Sequence, residues 1–128
     1  MFTNINTTHI VYALLFILAL WLLVPAIAGS GNTKQAAQAW PMIENGALLI
    51  DVRTPREFDA GHLDGAINIS WEETSALMDA IGNDKDRPVV VYCRSGNRSG
   101  KSKKALDAKG YTHIFNGTGL EALKATKP

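Results

Sequence analysis

The chain has 128 residues, 46% of them apolar, which suits one domain with a short extension and one modest core. Thirteen Lys and Arg against twelve Asp and Glu leave no global charge field, which argues against nucleic acid or an anionic membrane surface as the main partner. The single cysteine, Cys93, excludes an intramolecular disulfide and any multi-cysteine metal site.

From Ile10 to Val24 the chain reads IVYALLFILALWLLV, an apolar run without charge, and Pro25-Ala26-Ile27-Ala28 follows. Small residues at Ala26 and Ala28 after a helix-breaking proline form a signal peptidase pattern. Residues 1–28 therefore read as a signal peptide cleaved after Ala28, which would export the mature domain. The segment before the run carries no Lys or Arg, and the run with its tail approaches the ~20 residues of a spanning helix. An uncleaved anchor over residues 10–28 is the alternative, and Lys34 on the far side would then hold the domain in the cytoplasm. Residues 29–39 are small and polar without an apolar stripe, and read as a linker or a frayed helical lead-in to a domain over residues 40–128.

Beyond Trp40, β-type runs alternate with helical patterns, the mark of an α/β layer fold with a largely parallel sheet. Ala47 to Ile50 is a short continuous apolar strand, finished by Asp51-Val52-Arg53. Thr54-Pro55-Arg56-Glu57 sets a capping threonine before proline and glutamate, so a short helix starts there. Gly61 to Gly65 is a turn, and Ala66 to Ile69 a second strand. Ser70-Trp71-Glu72-Glu73 repeats the capping pattern before a helix that places Thr74, Leu77, Met78 and Ile81 on one face and stops at Gly82. Pro88 to Tyr92 is the most strand-like run of the chain. A helix is expected from Ser99 to Lys109, a strand over Tyr111 to Phe115, a loop at Asn116-Gly117-Thr118-Gly119, and a last helix from Leu120 to Ala125.

Cys93 therefore falls at the carboxyl end of a buried strand, before a short loop and a helix. Ligands of open α/β sheets bind at the carboxyl ends of strands. A loop closing onto a helix N-terminus turns its N–H groups inward and cradles an anion. A thiolate there is stabilised by those donors, by the helix dipole and by Arg94 and Arg98, so the thiol becomes a nucleophile at neutral pH. Gly96 suits the tight backbone of such a loop. From Cys93 to Gly110 six cations meet one anion, Asp107, and the ligand of this stretch is expected to be anionic.

Four motifs carry a resemblance. Asp51-Val52-Arg53, then Gly61-His62-Leu63-Asp64-Gly65-Ala66-Ile67-Asn68-Ile69, then Val91 to Ser99, then Gly110-Tyr111-Thr112-His113-Ile114 together resemble a single-domain rhodanese. The chain is most similar to the periplasmic phage shock protein E type. The resemblance implies a three-layer fold whose central, mostly parallel sheet has about five short strands. It also implies a sulfurtransferase in which Cys93 takes the outer sulfur of thiosulfate as a persulfide and passes it to cyanide or a thiol. Arg94, Ser95, Gly96, Asn97, Arg98 and Ser99 would bind the doubly charged donor, with no metal or other cofactor. A periplasmic monomer is expected, in contact with a membrane only if the N-terminal segment stays attached. The family's late loop is often Gly-Gly before a bulky apolar residue, and here it reads Gly117-Thr118-Gly119-Leu120.

Two rival readings share the loop. A cysteine-dependent phosphatase uses five residues between Cys and Arg, whereas four separate Cys93 from Arg98. A persulfide carrier or sulfide-sensing module would keep the fold without turnover. Elsewhere, His62 reads as a structural hydrogen-bonding residue, and His9, His62 and His113 are too scattered for a metal site. Asp51 and Arg53 read as an ion pair tying the strand end to a neighbouring loop, and Trp40 and Trp71 as packing anchors without the basic company of a nucleic-acid platform.

Overall fold

The computed structural model describes residues 10–13, 15 and 31–128. Helix α1 spans Gly31–Glu44, β1 Leu48–Asp51, α2 Pro55–Asp59, β2 Ile67–Asn68 and α3 Thr74–Ile81. They are followed by β3 Val89–Cys93, α4 Asn97–Ala108, β4 Ile114–Gly119 and α5 Leu120–Ala125. The strands form one parallel sheet in the order β2-β1-β3-β4. The α/β layers are those expected, with four strands among the described residues where about five were anticipated.

Strand β3 is buried at every residue, and the alternation of its side chains builds both cores. Val89, Val91 and Cys93 face Ile50, Val52, Leu77, Ile81, Leu106, Tyr111 and Ile114 on the α3 and α4 side. Val90 and Tyr92 face Leu49, Leu63, Ala36, Ala39, Trp40, Leu120 and Leu123 on the α1 and α5 side. A strand covered on both faces has no polar alternation, which is why Val89-Val90-Val91-Tyr92 reads as a continuous apolar run.

Three elements differ from the sequence reading. The stretch up to Ala39, read as a linker or a frayed helical lead-in, is helical from Gly31 onward as part of α1 and is packed, not frayed, with Ala36 and Ala39 fully buried. Small side chains let this helix lie close to the sheet without the large apolar stripe that marks an amphipathic helix. Ser70 does not cap α3. Trp71 N instead donates to Val52 O at 3.1 Å, which prolongs the strand-like path, and the helix starts at Thr74 without a side-chain cap. The last strand lies three residues further on than expected and takes in Asn116-Gly117-Thr118-Gly119, the segment read as a loop. The start of the expected strand, Tyr111, leaves the sheet to donate its hydroxyl to Gly82 O at 3.0 Å.

The proposed leader over residues 1–28 lies mostly outside the described residues. Of it, Ile10 to Ala13 and Leu15 are helical and exposed. Among the described residues no helix is long and apolar enough to cross a membrane.

Candidate active site

After β1 the chain turns one way to β2, and after β3 the other way to β4, which opens a crevice at the carboxyl ends of these neighbouring strands. Cys93 is the last residue of β3 and stands in that crevice. Arg94-Ser95-Gly96 bridges it to α4, and Gly96 turns the chain at φ 96°. The left-handed turn swings Gly96 N–H back onto Cys93 Sγ at 3.0 Å. Within the first turn of α4, Ser99 is fully buried with its Oγ 3.3 Å from the same sulfur.

Cys93 itself is 1% exposed, so it is not the open thiol that a surface loop would suggest. Burial pushes the thiol up, but the Ser99 hydroxyl and the backbone N–H groups of Ser99, Ser95 and Gly96 outweigh it and hold the thiol below its ordinary value. The stabilising groups are thus those of the loop and the first turn of α4. Of Arg94 and Arg98, both expected to share that task, Arg98 feels the Cys93 charge, but its main partner is Glu57. Arg98 donates to both oxygens of Glu57, at 2.7 and 2.9 Å. Arg94 is exposed, makes no ion pair among the described residues, and lines an open pocket of about 280 Å³ with Arg53, Glu57, Ala60, Leu120 and Glu121. Ser95 and Asn97 are exposed on the loop rim.

Beneath the loop lies an arrangement that the sequence reading missed. Register between β3 and β4 runs Val91 to Asn116 and then Cys93 to Gly119, so β4 carries one extra residue, a β-bulge. Within it Thr118 adopts φ 72°, strained for a β-branched side chain by about 1–3 kcal/mol. Its Oγ1 donates to Asn32 O at 3.2 Å and its N–H to Asn116 Oδ1 at 2.9 Å, contacts that offset the strain. Asn116 Oδ1 also accepts from Ser99 Oγ at 2.7 Å, while its Nδ2 donates to Gly96 O at 2.9 Å. Asn32 at the start of α1 donates to Ser95 O at 3.2 Å. A Cβ on Gly119 would run into the Arg94 carbonyl, so the loop rests directly on β4. Asn-Gly-Thr-Gly has the composition of a turn, and only the departure from Gly-Gly at Thr118 signals that the segment does more.

The structural roles read from the sequence stand. Arg53 Nη2 lies 2.6 Å from Asp51 Oδ2 and 2.7 Å from Gly61 O, which ties the end of β1 to the following turn. His62 Nδ1 lies 2.9 Å from Phe58 O, and its ring stacks on Phe58. Trp40 is buried and donates its indole N–H to Leu123 O at 3.0 Å. Trp71 is half-buried against the α3 and α4 core.

A parallel sheet whose central strand ends in a cysteine, with a tight amide loop closing on a helix, defines an α/β domain built around one buried cysteine. Residues 35–124 match the family model of the rhodanese-like domain, and the chain belongs to that family. It is 40% identical over 78 residues to the thiosulfate sulfurtransferase PspE of Escherichia coli, covering 61% of this chain and 75% of that one. It is 32% identical over 93 residues to the thiosulfate sulfurtransferase GlpE of Ectopseudomonas mendocina, covering 71% and 83%. Among solved structures, a rhodanese with anions from E. coli superposes with a TM-score of 0.58 at 37% identity, covering 65% of this chain and 95% of that one. The human single-domain sulfurtransferase TSTD1 superposes at 0.59 with 26% identity, covering 71% and 92%.

Proposed function

We propose that this chain is a thiosulfate sulfurtransferase that works through a persulfide on Cys93. The observation that carries the reading is the pair of polar groups on one sulfur, the Gly96 N–H donating at 3.0 Å and the Ser99 hydroxyl in contact at 3.3 Å, at the end of a central strand. The names of its relatives supply the donor class. The Cys93 thiolate attacks the outer sulfur of thiosulfate, the sulfur–sulfur bond of the donor breaks, and sulfite departs with the bonding pair. The persulfide keeps the single negative charge that the thiolate brought, and the loop amides of Ser95, Gly96 and Ser99 are the groups suited to hold it. A thiophilic acceptor, cyanide or a thiol, then takes the outer sulfur and returns Cys93 to thiolate.

Arg94 is the cation available to the donor, because its charge is uncommitted among the described residues and faces the pocket beside the loop. Arg98 shares its charge with Glu57 and contributes chiefly by holding the first turn of α4 in place. Residues 1–28 act as an export signal, and the domain works in the periplasm.

Mass spectrometry of the intact chain after exposure to thiosulfate tests the central step. One added sulfur on Cys93, absent from Cys93→Ala and removed by cyanide with release of thiocyanate, is the expected result. No added sulfur, or activity retained in Cys93→Ala, sinks the reading. A sulfur that loads but does not turn over would favour the persulfide carrier instead.

A further inference from the structure

The Ser99 hydroxyl has one hydrogen and two close neighbours that can use it. Its Oγ lies 2.7 Å from Asn116 Oδ1 and 3.3 Å from Cys93 Sγ, with the Thr118 carbonyl further off at 3.5 Å. The Asn116 carboxamide cannot be reversed. Its Nδ2 donates to Gly96 O and its Oδ1 accepts from Thr118 N–H, so a flipped amide would set oxygen against oxygen and N–H against N–H. The atom facing Ser99 is therefore an acceptor only. While Cys93 is a thiol, the hydroxyl hydrogen goes to Asn116, and the S–H can donate to the Ser99 oxygen. Once Cys93 ionises, the sulfur becomes an acceptor. Ser99 can then serve it only by withdrawing its hydrogen from Asn116, whose oxygen keeps the Thr118 N–H.

We propose that Asn116 is a positioning residue for Cys93: it holds the Ser99 hydroxyl hydrogen while the sulfur is a thiol and yields it when the sulfur becomes charged. Asn116 thus competes with the thiolate for one hydrogen bond and sets how readily the nucleophile forms. The charged groups at this end of the sheet are Arg94 on the loop, Arg98 on α4, Glu57 on α2, the Asp51–Arg53 pair at the end of β1, and Glu121 on α5. Helix α1 contributes the uncharged Asn32 and Gln35. Replacing Asn116 alters none of these charges. The inference rests on Cys93 as the nucleophile of the proposed function and not on thiosulfate as its donor.

Cys93 is the only cysteine in the chain, so the pH dependence of its alkylation by iodoacetamide, read on the full chain by mass spectrometry, reports its ionisation directly. In Asn116→Ala the midpoint should fall by about half a pH unit, roughly a threefold faster reaction at a fixed pH below it. In Ser99→Ala it should rise, and adding Asn116→Ala to Ser99→Ala should shift it no further. Equal shifts with and without Ser99 would overturn the proposal, because the asparagine would then act on the loop and not through the hydroxyl. The unmutated protein gives a second reading that does not depend on any variant folding. The Asn116 carboxamide carbon should move upfield in its 13C spectrum at the Cys93 midpoint, and a resonance that stays fixed refutes the exchange of partners. Failure of the donor assignment leaves a different trace, a normal alkylation profile with no persulfide after thiosulfate.

Discussion

The Arg98 guanidinium holds both carboxylate oxygens of Glu57, at 2.7 and 2.9 Å, and so ties the helix after the reactive loop to the helix after β1. Glu57 has a second task in the same place, since its Oε1 accepts from Thr54 N at 3.3 Å and completes the capping box of α2. The Arg98 hydrogen bonds are the chief reason that the Glu57 carboxyl is held at about 2, below its ordinary 4.5, with burial opposing them. A carboxyl lowered on folding stabilises the fold fully above its unfolded value, and that contribution disappears as the pH falls toward the folded one. With both side chains partly exposed, solvent screening limits the pair to about 1 kcal/mol. Glu57→Gln should therefore lower the melting temperature at neutral pH and flatten its decline between pH 4.5 and 2. Parallel melting curves for the two proteins across that window would show that the clasp contributes nothing.

The two arginines should separate kinetically. Arg94→Ala removes an exposed cation that faces the pocket, so it should raise KM for thiosulfate by roughly tenfold, the scale of one charge-assisted contact, with a smaller change in kcat. Arg98→Ala leaves Glu57 without its partner and should also lower the melting temperature and slow alkylation of Cys93. Steady-state kinetics at two salt concentrations check the first. If KM in Arg94→Ala equals that of the wild type at low salt, backbone amides alone bind the donor.

The fold was most legible where burial is two-sided. Val89 to Tyr92 and Leu48 to Ile50 announce themselves because a strand covered by helices on both faces has no reason to alternate. The order of strand, cysteine, loop and helix was readable for the same reason, and Gly96 with it. What stayed hidden depends on residues distant in sequence. Ala36 and Ala39 leave no stripe, yet they seat α1 against the sheet because they are small. Glu57 and Asn116 meet the Cys93 loop only after the sheet has brought the ends of β1 and β4 beside β3. Turn composition at Asn116 to Gly119 concealed a strand whose glycine is required by a neighbour and not by a bend.

That requirement gives a third prediction. Gly119 has an extended backbone, φ −127° and ψ 154°, which any residue could adopt. Its constraint is space, since a Cβ there would sit 2.8 Å from the Arg94 carbonyl carbon and 3.3 Å from Ser95 N. Gly119→Ala must push the loop off β4, and overpacking of this kind costs about 1–3 kcal/mol. The displaced loop takes its N–H groups with it, so persulfide formation should fall by more than tenfold even at temperatures where the variant is folded. Wild-type persulfide yield in a folded Gly119→Ala protein would show that the loop tolerates the displacement.

Tyr92 offers the complementary case, a residue next to Cys93 in sequence but on the opposite face of the sheet. Its ring packs among the α1 and α5 core, and its hydroxyl accepts from the buried Leu63 N–H at 3.1 Å. Tyr92→Phe keeps the ring and leaves that N–H without its partner, which costs about 1–3 kcal/mol. For a domain of this size each kcal/mol corresponds to roughly 4–8 °C, so a clear drop in melting temperature is expected. The Cys93 side of the sheet loses no contact, and thiosulfate turnover at 25 °C should stay within about twofold of the wild type, the scale left by packing changes across a rigid strand. Calorimetry and steady-state kinetics on the same preparation test both halves. A large loss of turnover without a loss of stability would mean that the two faces of β3 are coupled.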